Sequence, residues 1–454
     1  MDKLALRVAM FTVGMHFVFP RLADAFGVHL SQLLVLGLCL PAVMLGSMSF
    51  WRVASFGRSW PVVLCVAVAW IGLAYGAGRT NNRGLLNVAY VTSTLPIAAL
   101  IVERRCWWLC ARMFVIGSAF AMCLAIWFEY VLCTSGIVKS LYRFGNLWSA
   151  DGDLRLANPN LIGNQLALAA VLALVLYLRD GNRRKAHQGT AAPAQFSLAW
   201  TLLLSMGCML TASRGAFVSW AGGMTILVLW GMDSRQSRKA RDLVAFCGVM
   251  FAVMLFVAAA TGFQPWQTLQ ARLESPEKLL SASGRLPIWI SAYELWTADL
   301  KTLLFGLGTG LVPETLGAYL GHLTADGVTT LPTDTHNSFV EWGLSFGLLG
   351  MVAGVCLLWG VFRRTRLLDR RDGIVYRQAI LVCFCTASMT YVTVFYIFFC
   401  AAGPLILAML SDPPPSGPAA VAHRPHRRPE LVPAVRHVRT APPARQPNYG
   451  NLIS

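Results

Sequence analysis

The sequence predicts an all-α polytopic membrane protein of about 12 transmembrane helices with one large outer loop. Three observations lead there. Of 454 residues, 56% are hydrophobic and 13% charged, with a mean hydropathy of +0.56. A soluble chain carries about 25% charged residues. The apolar residues gather in runs of about 20, the length that crosses a hydrocarbon core of about 30 Å. The runs are continuous rather than alternating, which argues against a β-barrel.

The runs fall near 4–20, 28–48, 59–78, 84–102, 106–133, 160–178, 196–212, 215–232, 242–262, 337–361, 378–397 and 399–411. The last two are separated only by Ala401-Ala402-Gly403-Pro404. Lysine and arginine concentrate in alternate short loops. Arg52 and Arg58 occupy one, Arg104 and Arg105 the next, then Arg179, Arg183, Arg184 and Lys185. Arg235, Arg238, Lys239 and Arg241 follow, and Arg363 to Arg377 hold the last cluster. With these inside, the N- and C-termini are cytoplasmic, and the loops 134–158 and 263–336 face the far side. No cleavable signal is expected, because the first run lacks a small-residue cleavage site and others follow at once.

Two segments result: a transmembrane domain over 1–411, including the outer loop 263–336, and a tail over 412–454. The tail is rich in proline and arginine, with Pro413-Pro414-Pro415 and Arg427-Arg428. It lacks an apolar face and is expected to be disordered in the cytoplasm, near anionic lipid. The net charge of +17 follows from these basic loops and does not point to nucleic acid. The 12 cysteines lie mostly within apolar runs and read as small buried hydrophobes.

The outer loop is the one long hydrophilic interval between runs. Its apolar positions Ile288, Trp289, Ala292, Leu295 and Trp296 recur at helical spacing, so Leu286 to Trp296 predicts an amphipathic helix at the membrane surface. Ser283 is the expected cap, with the helix starting near Gly284. Arg285 then sits in the first turn, where an arginine and open backbone N–H groups together suit an anion. Arg214, in Ser213-Arg214-Gly215, lies between two runs with almost no loop. An arginine at membrane depth pairs or lines a polar cavity, unless it snorkels to the interface.

The loop exits through Asp334-Thr335-His336-Asn337 into an apolar helix carrying Glu341. Asp334 or Thr335 is the expected cap. His336 can accept a proton from a hydroxyl, or donate to an anion once protonated. In loop 134–158, Arg155 and Asn158 stand just before a run and are candidates to line the site. Asp151 and Asp153 have the spacing of a divalent-cation pair, but Asp-Gly-Asp is also turn chemistry, and that reading is preferred. The run Gly306, Gly308, Gly310 lacks the P-loop lysine, so close backbone packing is expected rather than a nucleotide site.

These features in this order resemble the O-antigen ligase and polymerase superfamily. The residues that carry the resemblance are Ser213-Arg214-Gly215, Arg285 with Trp289, the Gly306/Gly308/Gly310 run, and His336-Asn337 before a glycine-spaced helix. It covers about residues 140–360. It implies a C-type glycosyltransferase made of membrane helices in the bacterial inner membrane, its site on the periplasmic side, acting on glycans carried by undecaprenyl pyrophosphate, with lipid A-core as acceptor in the ligase branch. By position, His336, Arg214 and Arg285 would be catalytic, the arginines holding the pyrophosphate. Arg155, Asn158, Asn337, Glu341 and Trp289 would bind substrate. No metal or cofactor is expected, and membrane lipids are the surroundings. The polymerases and the protein O-oligosaccharyltransferases share the motifs and remain open, as does a transporter of lipid or glycan.

Overall fold

The computed structural model describes residues 1–16, 30–52, 67–68, 70–71, 82–127, 159–186, 192–211, 213–231, 285–308, 310–323, 335–365, 371–390 and 403–411. All belong to the first of the two units into which the chain divides, Met1–Pro413. The expected span 242–262, most of 59–78 and the tail 412–454 lie outside the described residues.

Every regular element among the described residues is a helix. In chain order they are α1 (Asp2–Met15), α2 (Leu30–Arg52), α3 (Asn82–Glu103), α4 (Trp107–Trp127), α5 (Pro159–Ala186), α6 (Ala192–Leu210) and α7 (Arg214–Gly231). Then follow α8 (Leu286–Thr297), α9 (Leu300–Phe305), α10 (Val312–Leu323), α11 (Ser338–Thr365), α12 (Arg371–Thr390) and α13 (Gly403–Ser411). Three segments are long and apolar enough to cross a membrane: Trp107–Ile126, Pro159–Arg179 and Ser338–Cys356. The shorter apolar helices Leu34–Ser49, Val88–Glu103, Leu198–Leu210 and Arg377–Ser388 coincide with further expected spans.

Lipid tails are as apolar as leucine, so helices in a bilayer gain by close backbone approach at small residues. Gly14 of α1 lies against the Phe114 carbonyl of α4, and Gly117 of α4 against the Phe11 carbonyl of α1. Any Cβ at either position would meet backbone. A large cluster of fully buried residues, including Leu6, Phe114, Ile162 and Leu204, runs through these helices. Leu34, Leu38, Met44 and Met48 of α2 are exposed, as a lipid-facing stripe requires.

The two ends of the bundle differ. At one end Asp2 pairs with Arg104, and the guanidinium of Arg179 lies 3.5 Å over the Trp108 ring. At the other, the start of α5 meets the turn between α6 and α7, where Ser213 Oγ donates to Asn160 Oδ1 at 2.9 Å. From Asn160 to Arg179 a helix rises about 29 Å, close to the thickness of a bilayer core.

The chain between 285 and 346 forms its own small core. Ala292, Val312, Leu316 and Leu344 are buried together, with Ile288, Trp296 and Val340 packed on them. One loop helix was expected here; three are found, α8, α9 and α10. The glycine run packs closely, as expected, and the surface it packs on is a break in α11. Gly347 has φ 63°, ψ −157° inside that helix. The carbonyls of Leu344 and Ser345 next to the break accept from the N–H of Leu307 (2.8 Å) and Gly308 (3.0 Å). Gly306, at φ 75°, abuts the backbone of Ser345 and Phe346, and Gly347 abuts that of Leu304 and Phe305. Two left-handed glycines thus cross where no Cβ fits.

Candidate functional site

The first group of residues forms where α8 and α11 begin. Helix α8 starts at Leu286 with Arg285 as its N-cap and Pro287 in the first turn. This corrects the expectation of a Ser283 cap and a start near Gly284. Arg285 has αR backbone angles, and its side chain makes no capping bond, so the guanidinium is not spent on the helix end. Pro287 lacks an N–H, so the proline spares the helix one orphan donor. Beside the open N–H groups that remain, an anion is favoured.

Trp289 lies one turn on. Its N–H donates to the Arg285 carbonyl at 2.9 Å, and its indole Nε1 donates to the Thr335 carbonyl at 2.8 Å. That second bond ties the Arg285 end of α8 to the residue before His336. Trp289, expected to bind substrate, is thereby a strut between two catalytic candidates.

Thr335 is fully buried. Its Oγ1 lies 2.9 Å from Glu341 Oε2 and 3.0 Å from the Asn337 carbonyl, and its single proton serves one at a time. Glu341 is 7% exposed. A buried carboxylate needs donors, and Thr335 is one of them. Asn337 caps α11: its Oδ1 accepts from Phe339 N at 2.9 Å and Val340 N at 3.4 Å. This corrects the expected cap. Thr335 faces Glu341 instead, and Asp334 lies outside the described residues.

His336, between these two, has φ 53°. A non-glycine residue in the left-handed region is uncommon, and such residues gather at functional sites. The Thr335–Glu341 bond and the Asn337 cap hold the backbone on both sides, and so hold the half-buried imidazole in place.

A second group lies at the start of α7. Ser213 is its N-cap: Oγ is 3.4 Å from Ala216 N, and its carbonyl accepts from Phe217 N at 2.9 Å. Thr211 Oγ1 donates to the Cys208 carbonyl at 2.7 Å and closes the preceding turn. Arg214 is therefore the first residue of the helix, where the macrodipole is partly positive and disfavours a cation without an anion. It is half-buried, and among the described residues none pairs with its guanidinium.

Arg285, Trp289, His336, Asn337 and Glu341 thus form one group, and Arg214 belongs to the other. Arg155, Asn158, Asp151 and Asp153 lie outside the described residues. Sequence reasoning missed Thr335 and Asn160 as parts of the site. Asn160 had a signal, being an asparagine in the first turn of an apolar helix. Thr335 had none, since its role depends on a carboxylate six residues away.

Residues 199–355 match a family model described as O-antigen ligase. The match begins in α6, ends in α11, and contains every candidate of both groups except Asn160. No curated protein matches the chain.

Proposed function

Residues 199–355 match a family model described as O-antigen ligase, and from that premise we propose that this chain transfers a glycan from undecaprenyl pyrophosphate to a hydroxyl of lipid A-core. The family implies glycan and lipid substrates, and the apolar helices imply a membrane protein. The finer reading rests on one observation: the Trp289–Thr335 bond, which couples Arg285 to His336. That bond brings the helix start that carries Arg285 to the turn that carries His336, and a cation and an imidazole together suit the departure of an anion and the loss of a proton.

The acceptor oxygen attacks the anomeric carbon. The bond from that carbon to the phosphate oxygen breaks, and the electron pair leaves with undecaprenyl pyrophosphate. Arg285 and Arg214 stabilise the charge that develops on the leaving group. His336 takes the hydroxyl proton, or donates to the leaving phosphate once protonated. A single displacement inverts the anomeric centre. Arginines supply the charge that a divalent ion supplies elsewhere, so the transfer is proposed to proceed without metal.

The site faces the periplasm in this reading, with both termini cytoplasmic. Supporting this, Arg104 and Arg179 stand at the bundle end opposite Arg214, and basic loops stay inside.

The test mixes purified protein with undecaprenyl-pyrophosphate-linked glycan and lipid A-core, with and without chelator, and reads the product on a gel. Ligated product is expected in both, with an Arg285→Ala rate lower by roughly 10²- to 10³-fold. Growth of the donor glycan instead means a polymerase. Transfer to a protein hydroxyl means an oligosaccharyltransferase. No transfer in detergent returns a transporter, which needs a sealed compartment.

A further inference from the structure

One turn along α5 from Asn160 stands Asn164, 6% exposed. Both atoms of its carboxamide, Oδ1 and Nδ2, are buried and have no hydrogen-bond partner among the described residues. An amide left so in an apolar setting costs on the order of 1–3 kcal/mol by mutational measure. Such groups are rare in native folds and call for a reason. The next residue is a contrast. Gln165 Nε2 donates to the Gly14 carbonyl at 2.7 Å and so ties α5 to α1. The fold engages one amide nitrogen at this level and leaves its neighbour vacant.

The helix geometry says where Asn164 stands. Asn160, Asn164 and Val171 share one face of α5. Asn160 bonds Ser213, Gly163 lies against Ala216, and Val171 lies against Gly223. These pairings keep one register, so α5 and α7 run parallel and in contact. Asn164 is therefore level with the first turn of α7, just inside Arg214. The closeness depends on Gly163, where a Cβ would stand 2.6 Å from Thr211 Oγ1.

Three kinds of donor belong to this end of α5 and α7: the positive end of α7, the guanidinium of Arg214, its first residue, and the vacant Nδ2 of Asn164. An anion matches all three. Asn164 lies one helical turn, about 6 Å, beyond Asn160 toward the apolar interior. A prenyl diphosphate joins its charge to an apolar tail, so its phosphates come to the membrane boundary, where fixed donors offset the cost of burying them. We propose that Asn164 is a substrate-binding residue that donates from Nδ2 to a phosphate oxygen of the prenyl diphosphate held by Arg214. Its Oδ1 then accepts from the guanidinium that closes on the same phosphate. This rests on the transferase reading above and extends the site onto α5, which precedes the family match at 199–355.

The test uses the full chain purified in detergent, with undecaprenyl pyrophosphate as the probe. Binding and the unliganded Tm are measured for wild type, Asn164→Leu, Asn164→Asp and Arg285→Ala. Asn164→Leu is expected to bind roughly ten- to a hundredfold more weakly, the worth of one hydrogen bond to a charged group. Its unliganded Tm is expected to equal or exceed that of wild type, because a vacant amide has been replaced by an apolar side chain of similar size. Asn164→Asp is expected to bind more weakly still, since a carboxylate repels the phosphate.

Wild-type affinity in both Asn164 variants would overturn the proposal. So would a clear fall in the Tm of Asn164→Leu, which would give the amide a structural role. If Arg285→Ala loses the probe while Asn164→Leu keeps it, Asn164 alone is wrong. If wild type does not bind the probe, the transferase reading falls with it.

Discussion

The two arginine-bearing groups are built in opposite ways. Arg214 stands on a contact between two long apolar helices, where Gly163 and Ala216 let α5 and α7 touch. The Ser213–Asn160 bond pins the helix end, and the guanidinium itself is left out of the fold. Arg285 stands on a short helix in a unit with a small core of its own. That unit is held by a chain of polar bonds from Trp289 through Thr335 to Glu341, and by the glycine crossing at the α11 break. In the first group, position comes from packing and the charge is added to it. In the second, position comes from hydrogen bonds, so the chemistry and the fold share atoms.

That contrast separates stability from activity. The largest effect is expected at Arg214. Arg214→Lys keeps the charge but loses the planar fork, so transfer should fall roughly 10- to 100-fold. The Tm should not move, because the guanidinium has no ion-pair partner among the described residues. A Tm drop with this variant would erase the contrast, and near-normal transfer would remove Arg214 from the diphosphate.

A middle effect is expected at Thr335. Thr335→Val keeps the shape but withdraws a donor from the buried Glu341 carboxylate, at a cost of about 1–3 kcal/mol. Here Tm and activity should fall together, since the same turn holds His336. A drop in Tm with full activity would uncouple the turn from the chemistry.

The smallest effect is expected at Asp299, on the surface of the same unit. Its Oδ1 accepts from Thr302 N at 2.8 Å and its Oδ2 from Thr302 Oγ1 at 2.7 Å. The backbone bond from Thr302, and then the side-chain bond, hold its carboxyl below the usual aspartate range. A depressed folded pKa means the cap's contribution is complete above the unfolded value and lost as pH falls through the folded one. Asp299→Ala should lower Tm slightly at neutral pH, and the gap to wild type should close in strong acid. A gap that persists in strong acid would mean the carboxylate is not its source.

Much of the candidate site was legible because some residues are informative by type and depth alone. Arg214 between two apolar runs, Arg285 at a helix start and His336 at a loop exit each break a local expectation. What escaped was partnership. The sequence offers Asp334 or Thr335 as the cap of α11, and hydrogen-bond geometry selects Asn337 while turning Thr335 toward Glu341. Ser283 is a better cap by residue type than Arg285, yet α8 starts beyond both, at the Pro287 turn.

The sequence by itself determined that this is a helical membrane protein, where the apolar helices run, and which side chains carry charge into them. These follow from composition and period, which are local sums over neighbouring residues. Only the tertiary structure decided that Gly347 interrupts α11 to receive the Gly306 turn. Only it joined Asn160 to Ser213 and tied Trp289 to the Thr335 carbonyl. Each depends on atoms far apart in the chain meeting within about 3 Å, and no local pattern encodes such a meeting.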